Sequence, residues 1–401
     1  MSSSSASFRR PDAMTHEIAE ASIAVIQAAP TTRWILVTLT GAGGGVGYGE
    51  ASLNGQEDAV LAAFRARAGS VVGSNAEVLP GKITGWKLPT LAEAAAASAL
   101  DQAAWDLYAR QSGVTLAAAL GGARRQAIGV YANINRRTRD RSPAGFVASA
   151  AAAREAGHAA FKIAPFDEAD PGRCAHGEGR EAVTPGLARI EAVRAAIGDR
   201  RLMVDCHWRL DVKTAAYVID AAAALGLYWV ECPLSETPEN LAAIRALRER
   251  ANRQGVKLAG CETMVRERGF RPFLDTGAYD VIMPDVKYAG GLRTVLALEE
   301  EAARVGTAIS LHNPTGPVCH AASLHVSATL RDPYLLEMQF DETPIFDALQ
   351  SVAVPAARDG AIELPTEVGL GLQLDAQTLR RASVTFDRVY PHHKNNGERK
   401  P

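Results

Sequence analysis

Arg201-Leu-Met-Val-Asp205-Cys-His207-Trp-Arg209, Leu227-Tyr-Trp-Val-Glu231-Cys-Pro233 and Val256-Lys-Leu-Ala-Gly-Cys-Glu262 are three successive short apolar runs, each closing on a carboxylate. The acids stand 26 and 31 residues apart, with helix-like sequence in the intervals. A βα unit takes about 30 residues, and in a βα barrel the functional groups gather at the C-terminal strand ends. Three carboxylates brought together there repel one another unless a cation holds them. Asp205, Glu231 and Glu262 therefore read as three oxygen ligands for one hard divalent ion, Mg2+. Cys206, Cys232 and Cys261 adjoin the same acids and offer a rival, a thiolate zinc site. Neighbouring strand side chains point to opposite faces, so acids turned to the barrel axis send the cysteines outward against helices.

The 401 residues are 47% hydrophobic with a formal net charge of -2, enough for a large core in one or two domains. The 43 Lys and Arg are interspersed with 45 Asp and Glu, apart from a basic end between His392 and Lys400, so no nucleic-acid surface is indicated. No apolar run approaches the roughly 20 residues of a membrane span. The start of the chain, with Arg9-Arg10, lacks an apolar signal core, so a cytoplasmic protein is expected. Five cysteines, an odd number in a long chain, do not form a disulfide framework.

The chain divides into a disordered tail over 1–13, an α+β capping domain over 14–127, a βα barrel over 128–360, a segment over 361–390 that returns to the cap, and a tail over 391–401. In the cap, His16 to Ala28 and Arg33 to Leu39 alternate like strands, and Gly41-Ala-Gly-Gly-Gly45 turns the chain into Val46-Gly-Tyr-Gly-Glu50. That glycine run lacks the Gly-Lys-Ser/Thr ending of a phosphate loop. Glu57 to Ala68 and Leu91 to Ser112 have helical spacing, the second with Leu100, Ala104, Leu107 and Tyr108 on one face. From Ile128 onward strand and helix alternate. Strands are expected near Ile128–Asn133, Ala160–Ala164, Leu202–Cys206, Tyr228–Cys232, Lys257–Cys261, Val281–Pro284, Thr307–Leu311 and Leu335–Met338, a full set of eight. Pro165 to Pro185 reads as a long, charged loop, of the kind that is functional or disordered.

The later strand ends carry Lys162, then Asp205 with His207, Glu231, Glu262, Asp285, His312 and Glu337. A lone strand lysine is usually on the surface and a lone histidine usually structural; recurrence at equivalent places points to a site. A carboxylate bound to a divalent ion is a stronger carbon acid, and a base must stand beside its α-carbon. His312 suits, with Asp285 orienting the imidazole. Lys162 serves as a second base or as a cation on the substrate carboxylate, and a nearby divalent ion would lower its pKa.

Val281-Ile-Met-Pro-Asp285-Val-Lys-Tyr-Ala-Gly-Gly-Leu292, the Asp/Glu/Glu trio, Ala99-Leu-Asp-Gln-Ala-Ala-Trp-Asp106 with Leu120-Gly-Gly122, and Val46-Gly-Tyr-Gly-Glu50 together resemble the mandelate racemase branch of the enolase superfamily, over about residues 17 to 390. The resemblance implies a modified (β/α)8 TIM-type barrel with an α+β cap, one Mg2+ per subunit, an enediolate intermediate and a homo-oligomer. Asp205-Cys-His207-Trp-Arg209 and Leu311-His312-Asn-Pro-Thr-Gly-Pro317 look more specifically like the acid-sugar dehydratases. There the histidine two residues past the first ligand is the acid that expels a hydroxyl. By that likeness His312 takes the proton at carbon 2, and His207, on the strand and face of Asp205, helps the 3-hydroxyl leave. A 2-keto-3-deoxy acid results. Glu337, protonated by burial among carboxylates, would hydrogen-bond the substrate carboxylate. The family's usual Lys-x-Lys is here Lys162-Ile-Ala164, and Ala28 to Trp34 is shorter than the specificity loop of relatives.

A racemase, epimerase or cycloisomerase on the same scaffold, and a metal-binding homologue without turnover, are the alternatives. The expected partner is a small carboxylate, an acid sugar, met by Asn54, Asn133, Asn135, Arg136 and Arg209. Arg136 and Arg209 either clamp a distal carboxylate or are surface charges.

Overall fold

The computed structural model describes residues 16–390, so both expected tails lie outside the described residues. The chain opens as a meander, β1 (Ile18–Ala29), β2 (Thr32–Gly41) and β3 (Val46–Glu50), with Pro30 and Thr31 as the whole β1–β2 turn. Two helices, Glu57–Val71 and Leu91–Gln111, pack on it. The second starts at a capping box, with the Thr90 hydroxyl accepting from Glu93 N and the Glu93 carboxylate from Thr90 N. Its burial is not one-sided: every residue from Ala94 to Leu107 is buried. Alanine makes this possible, together with the glycines of β3. A methyl on Gly49 would lie 1.9 Å from Ala99 O, so only Gly-x-Gly lets the strand rest on the helix backbone.

Eight parallel strands follow: β4 (Ala127–Asn133), β5 (Ala160–Ile163), β6 (Arg201–Asp205), β7 (Trp229–Glu231), β8 (Lys257–Gly260), β9 (Val281–Ile282), β10 (Ala308–Ile309) and β11 (Leu336–Gln339). They lie in the order β10-β9-β8-β7-β6-β5-β4-β11. The two edges meet where Tyr334 N donates to Ile309 O, which curls the sheet into the barrel. β12 (Gln350–Val352) pairs with β14 (Gln373–Leu374), β13 (Ala361–Glu363) runs antiparallel to β4, and β15 (Ser383–Val389) pairs with β1, tying the end of the chain to the cap. No helix among the described residues is long and apolar enough to cross a membrane.

Pro165 to Pro185 is not the long loop the composition suggests. After Ala169 it winds through Pro171–Arg173 and a π-helical turn, Cys174–Glu178, into the helix Gly179–Ile197. Asp170 caps it by accepting from Arg173 N, and Ala182, Val183, Gly186, Ile190, Val193 and Ile197 supply a buried stripe that the glycines, charges and Pro185 conceal.

Cap and barrel are joined by buried polar groups. Glu50, at the end of β3, accepts from Gly316 N (2.9 Å), Cys319 N (3.0 Å) and the Thr315 hydroxyl (2.5 Å), so its carboxylate caps the barrel helix Pro317–Thr329. From the helix Leu91–Gln111, Asp101 accepts from Leu292 N and Gln102 donates to Val286 O.

Burial pushes His158, His320 and His325 down to about 4 from an ordinary 6.5. The unfolded chain therefore takes up protons before the folded one as pH falls. The histidines' own contribution to stability should be full above pH 6.5 and decline towards pH 4, by roughly 3 kcal/mol each. The raised acids of the barrel mouth act in the opposite sense over the same range, so the histidine share is read as a difference: in urea unfolding between pH 7.5 and 4.5, His325→Gln should lose less stability than wild type as pH falls.

Candidate active site

Asp205 and Glu231 are the last residues of adjacent strands and are paired in register. Glu262 lies two residues beyond β8, brought back by Cys261, whose φ is +72°. One carboxylate oxygen from each lies within 4.8 Å of the others, and all three residues are buried. Burial and mutual repulsion raise Glu231 well above the usual carboxylate range and Glu262 to about 8. Burial also works against Asp205, but His207 holds it at about 2. Acids so arranged share protons or a cation, and three hard oxygens suit a divalent ion such as Mg2+.

The cysteines do not compete. Among the described residues the ligand atoms that converge for one ion are those of the three carboxylates and include no thiol, and burial pushes all three thiols well above their ordinary value. Cys206 and Cys261 pack in the outer apolar layer; for Cys206 this follows strand alternation, whereas Cys261 reaches it through its left-handed turn beyond β8. Cys232 departs from that expectation. With φ +45° just past β7, it places Sγ 3.9 Å from Glu262 Oε2.

Lys162, at the end of β5, is 1% exposed, with Nζ 2.6 Å from Glu231 Oε1 and 2.8 Å from Glu337 Oε1. Trp229 Nε1 donates to the other Glu231 oxygen. Burial would lower Lys162, but with no ion on the acids Glu231 and Glu337 outweigh it and hold the ammonium well above its ordinary range; the lowering expected beside a bound ion is a separate effect. One expectation changes here. Glu337 is not kept protonated: against burial, Lys162 and His312 lower it, and Asn133 Nδ2 and Asn313 N donate to its two oxygens.

Across the cluster, His312 Nδ1 lies 2.7 Å from Asp285 Oδ2 and its Nε2 3.5 Å from Glu262 Oε2. The dyad has a third member that the sequence reading missed. Lys287 Nζ also lies 2.7 Å from Asp285 Oδ2, and Lys287 N donates to Oδ1. Against burial, Lys287 and His312 hold the Asp285 carboxyl below its usual range. The signal was present as Asp285-Val-Lys287: a lysine two residues from an acid at a strand end.

His207 does not share the strand with Asp205, because β6 ends at Asp205. His207 and Trp208 take φ of +48° and +57°, and this turn folds the imidazole back until Nε2 is 2.8 Å from Asp205 Oδ2. Asp205 raises the His207 imidazole above its ordinary value, while 41% of the side chain stays open.

These groups line a cavity of about 400 Å³ with Lys162, Asp205, His207, Glu262, Lys287 and His312 in its walls. Asn54, Asn133, Asn135 and Arg136 also line it. Arg136 reaches Glu342 Oε2 at 3.4 Å, and Arg141 Nη1 holds the Asn135 side chain. Arg209 is absent from the cavity: its Nη1 donates to Phe166 O at 2.8 Å, so it fastens a loop. Ala164 is buried and does not line the cavity. Thr32, Arg33 and Trp34, at the start of β2, complete the mouth and were not foreseen.

Residues 145–378 match the enolase C-terminal domain-like family, and residues 10–121 match the mandelate racemase/muconate lactonizing enzyme N-terminal domain. The chain therefore belongs to the mandelate racemase/muconate lactonizing enzyme branch of the enolase superfamily. Among individual relatives, it is 28% identical to a D-galactonate dehydratase of Ralstonia nicotianae, over 86% of this chain and 89% of the relative. It is 30% identical to a D-galactarolactone cycloisomerase of Agrobacterium fabrum, over 71% and 72%. A crystal structure of a mandelate racemase/muconate lactonizing enzyme from Sulfitobacter sp. superposes with a TM-score of 0.81 at 26% identity, covering 92% of this chain and 96% of the other.

Lys162→Met would strand two buried carboxylates, and should cost roughly 3–5 kcal/mol of unfolding free energy. Denaturant titration measures it, and a loss below about 1 kcal/mol would show that the pair contributes little.

Proposed function

We propose that the protein is a Mg2+-dependent acid-sugar dehydratase. The observation that carries this reading is a base and an acid on either side of one carboxylate cluster: His312 backed by Asp285, and His207 beside Asp205. Asp205, Glu231 and Glu262 would hold the ion, which when bound supplies positive charge where negative charge builds on the substrate carboxylate.

The side chains do the rest. Asp285 accepts the Nδ1 proton of His312, which leaves Nε2 free to take the proton from carbon 2. The electron pair released expels the 3-hydroxyl, which leaves as water with a proton from His207. The resulting enol tautomerises to a 2-keto-3-deoxy acid. Lys287 keeps Asp285 paired before and after this transfer. Lys162 adds positive charge beside the substrate carboxylate, Glu337 secures that ammonium, and Asn54, Asn135 and Arg136 meet the distal hydroxyls.

The cycloisomerase relative keeps a second reading open, racemisation or ring opening on the same scaffold. Ala164 in place of a second lysine and the engagement of Lys162 by two carboxylates favour elimination, since neither leaves a base opposite His312.

A panel of aldonic, uronic and aldaric acids with Mg2+, assayed for 2-keto-3-deoxy product, tests the assignment; turnover of none of them sinks it. Treatment with EDTA should abolish turnover and added Mg2+ restore it. In heavy water, His312→Asn should lose both α-proton exchange and elimination by at least about 100-fold. His207→Asn should retain exchange while elimination falls by a similar factor. Equal loss of both in His207→Asn would remove it from the acid role.

A further inference from the structure

Glu236, five residues beyond the end of β7, takes no part in the chemistry above. Its carboxylate nevertheless sits among residues that adjoin two of the three acids, Cys232 beside Glu231 and Cys261 beside Glu262. Oε1 accepts from Cys261 N at 2.5 Å and lies 4.0 Å from Cys232 Sγ. The Trp208 indole and the Tyr279 hydroxyl face the same carboxylate, and Glu236 Oε2, Trp208 Nε1 and Tyr279 Oη are buried with no partner elsewhere. Gly260 provides the room: a Cβ there would stand 2.4 Å from both Glu236 Oε1 and Tyr279 Cζ.

Three of the four residues around this carboxylate share a second property. Cys232, Cys261 and Trp208 have φ of +45°, +72° and +57°. Each such conformation costs a non-glycine residue about 1 kcal/mol or more and persists only where its surroundings impose it. The turn at Cys261 carries Glu262 from beyond β8 back to Asp205 and Glu231.

We propose that Glu236 is a positioning residue that holds the Cys261 turn and so keeps Glu262 in the cation-binding arrangement. This rests on reading Asp205, Glu231 and Glu262 as the ion's ligands. Without the acceptor, the Cys261 peptide relaxes towards negative φ and Glu262 swings away from its two partners.

Calorimetric titration of the full chain with Mg2+, beside thermal unfolding, provides the test. Glu236→Ala should weaken Mg2+ binding about 10- to 100-fold. Glu236→Gln keeps an acceptor oxygen and should stay within about threefold of wild type. Gly260→Ala displaces the carboxylate without removing it and should weaken binding as Glu236→Ala does. A carboxylate that served packing alone would lower the Tm and leave the Mg2+ Kd unchanged in all three, which overturns the proposal. Should Glu236→Ala fail to fold, equal affinities of Gly260→Ala and Glu236→Gln overturn it. Mg2+ binding by a wild type that dehydrates no acid sugar defeats the functional reading and leaves this one standing; a wild type that binds no Mg2+ defeats both.

Discussion

The Lys162 ammonium between Glu231 and Glu337 is the interaction on which the barrel mouth depends. Five buried acids converge there: Asp205, Glu231, Glu262, Asp285 and Glu337. Packed alone they would force one another to take up protons. Positive groups are interleaved instead: Lys162 serves Glu231 and Glu337, Lys287 and His312 share Asp285, and His207 lies on Asp205. Glu262 is the least engaged of the five: the outer nitrogen of His312, whose inner nitrogen is on Asp285, lies 3.5 Å away, and the Cys232 thiol 3.9 Å. The charge pattern thus leaves one corner of the cluster in need of a cation, and that corner faces the cavity.

The cap is bound to this mouth by polar groups where apolar packing alone would let it slide. Hydrophobic contact fixes distance but not rotation, whereas Glu50 on the amides of Gly316 and Cys319, Gln102 on Val286 O and Asp101 on Leu292 N fix both. Asp106 does the same towards the chain's end, accepting from Tyr48 N and Leu370 N. The residues of Ala99-Leu-Asp-Gln-Ala-Ala-Trp-Asp106 that carry the family likeness are therefore largely joints between cap and barrel.

Much of this was legible because barrel periodicity places one ionisable group at the end of each later strand, and the strand ends could be counted. Asp205, Glu231, Glu262, Asp285 and His312 meet in space for that reason. What escaped depends on contacts between distant segments or on backbone that residue type does not announce. Glu337 is held towards its carboxylate form by Lys162 on β5 and by Asn313 in the segment beyond β10. Histidine and tryptophan give no sign of the left-handed turn that brings His207 back to Asp205. Arg209 had equal standing with Arg136 in sequence, and a single carbonyl at Phe166 separates their fates. The helix Gly179–Ile197 was hidden by Pro185 and its glycines, since local propensity argued against a stripe that tertiary packing imposes.

The two-residue turn at Pro30-Thr31 has a bearing on how such a catalyst could change its diet. Thr32, Arg33 and Trp34 reach the cavity from the first residues of a sheet strand, and the Thr32 hydroxyl is anchored on Glu342. The entrance on this side is thus built from a strand and not from a loop, so new preferences here arise by exchanging single residues on that strand.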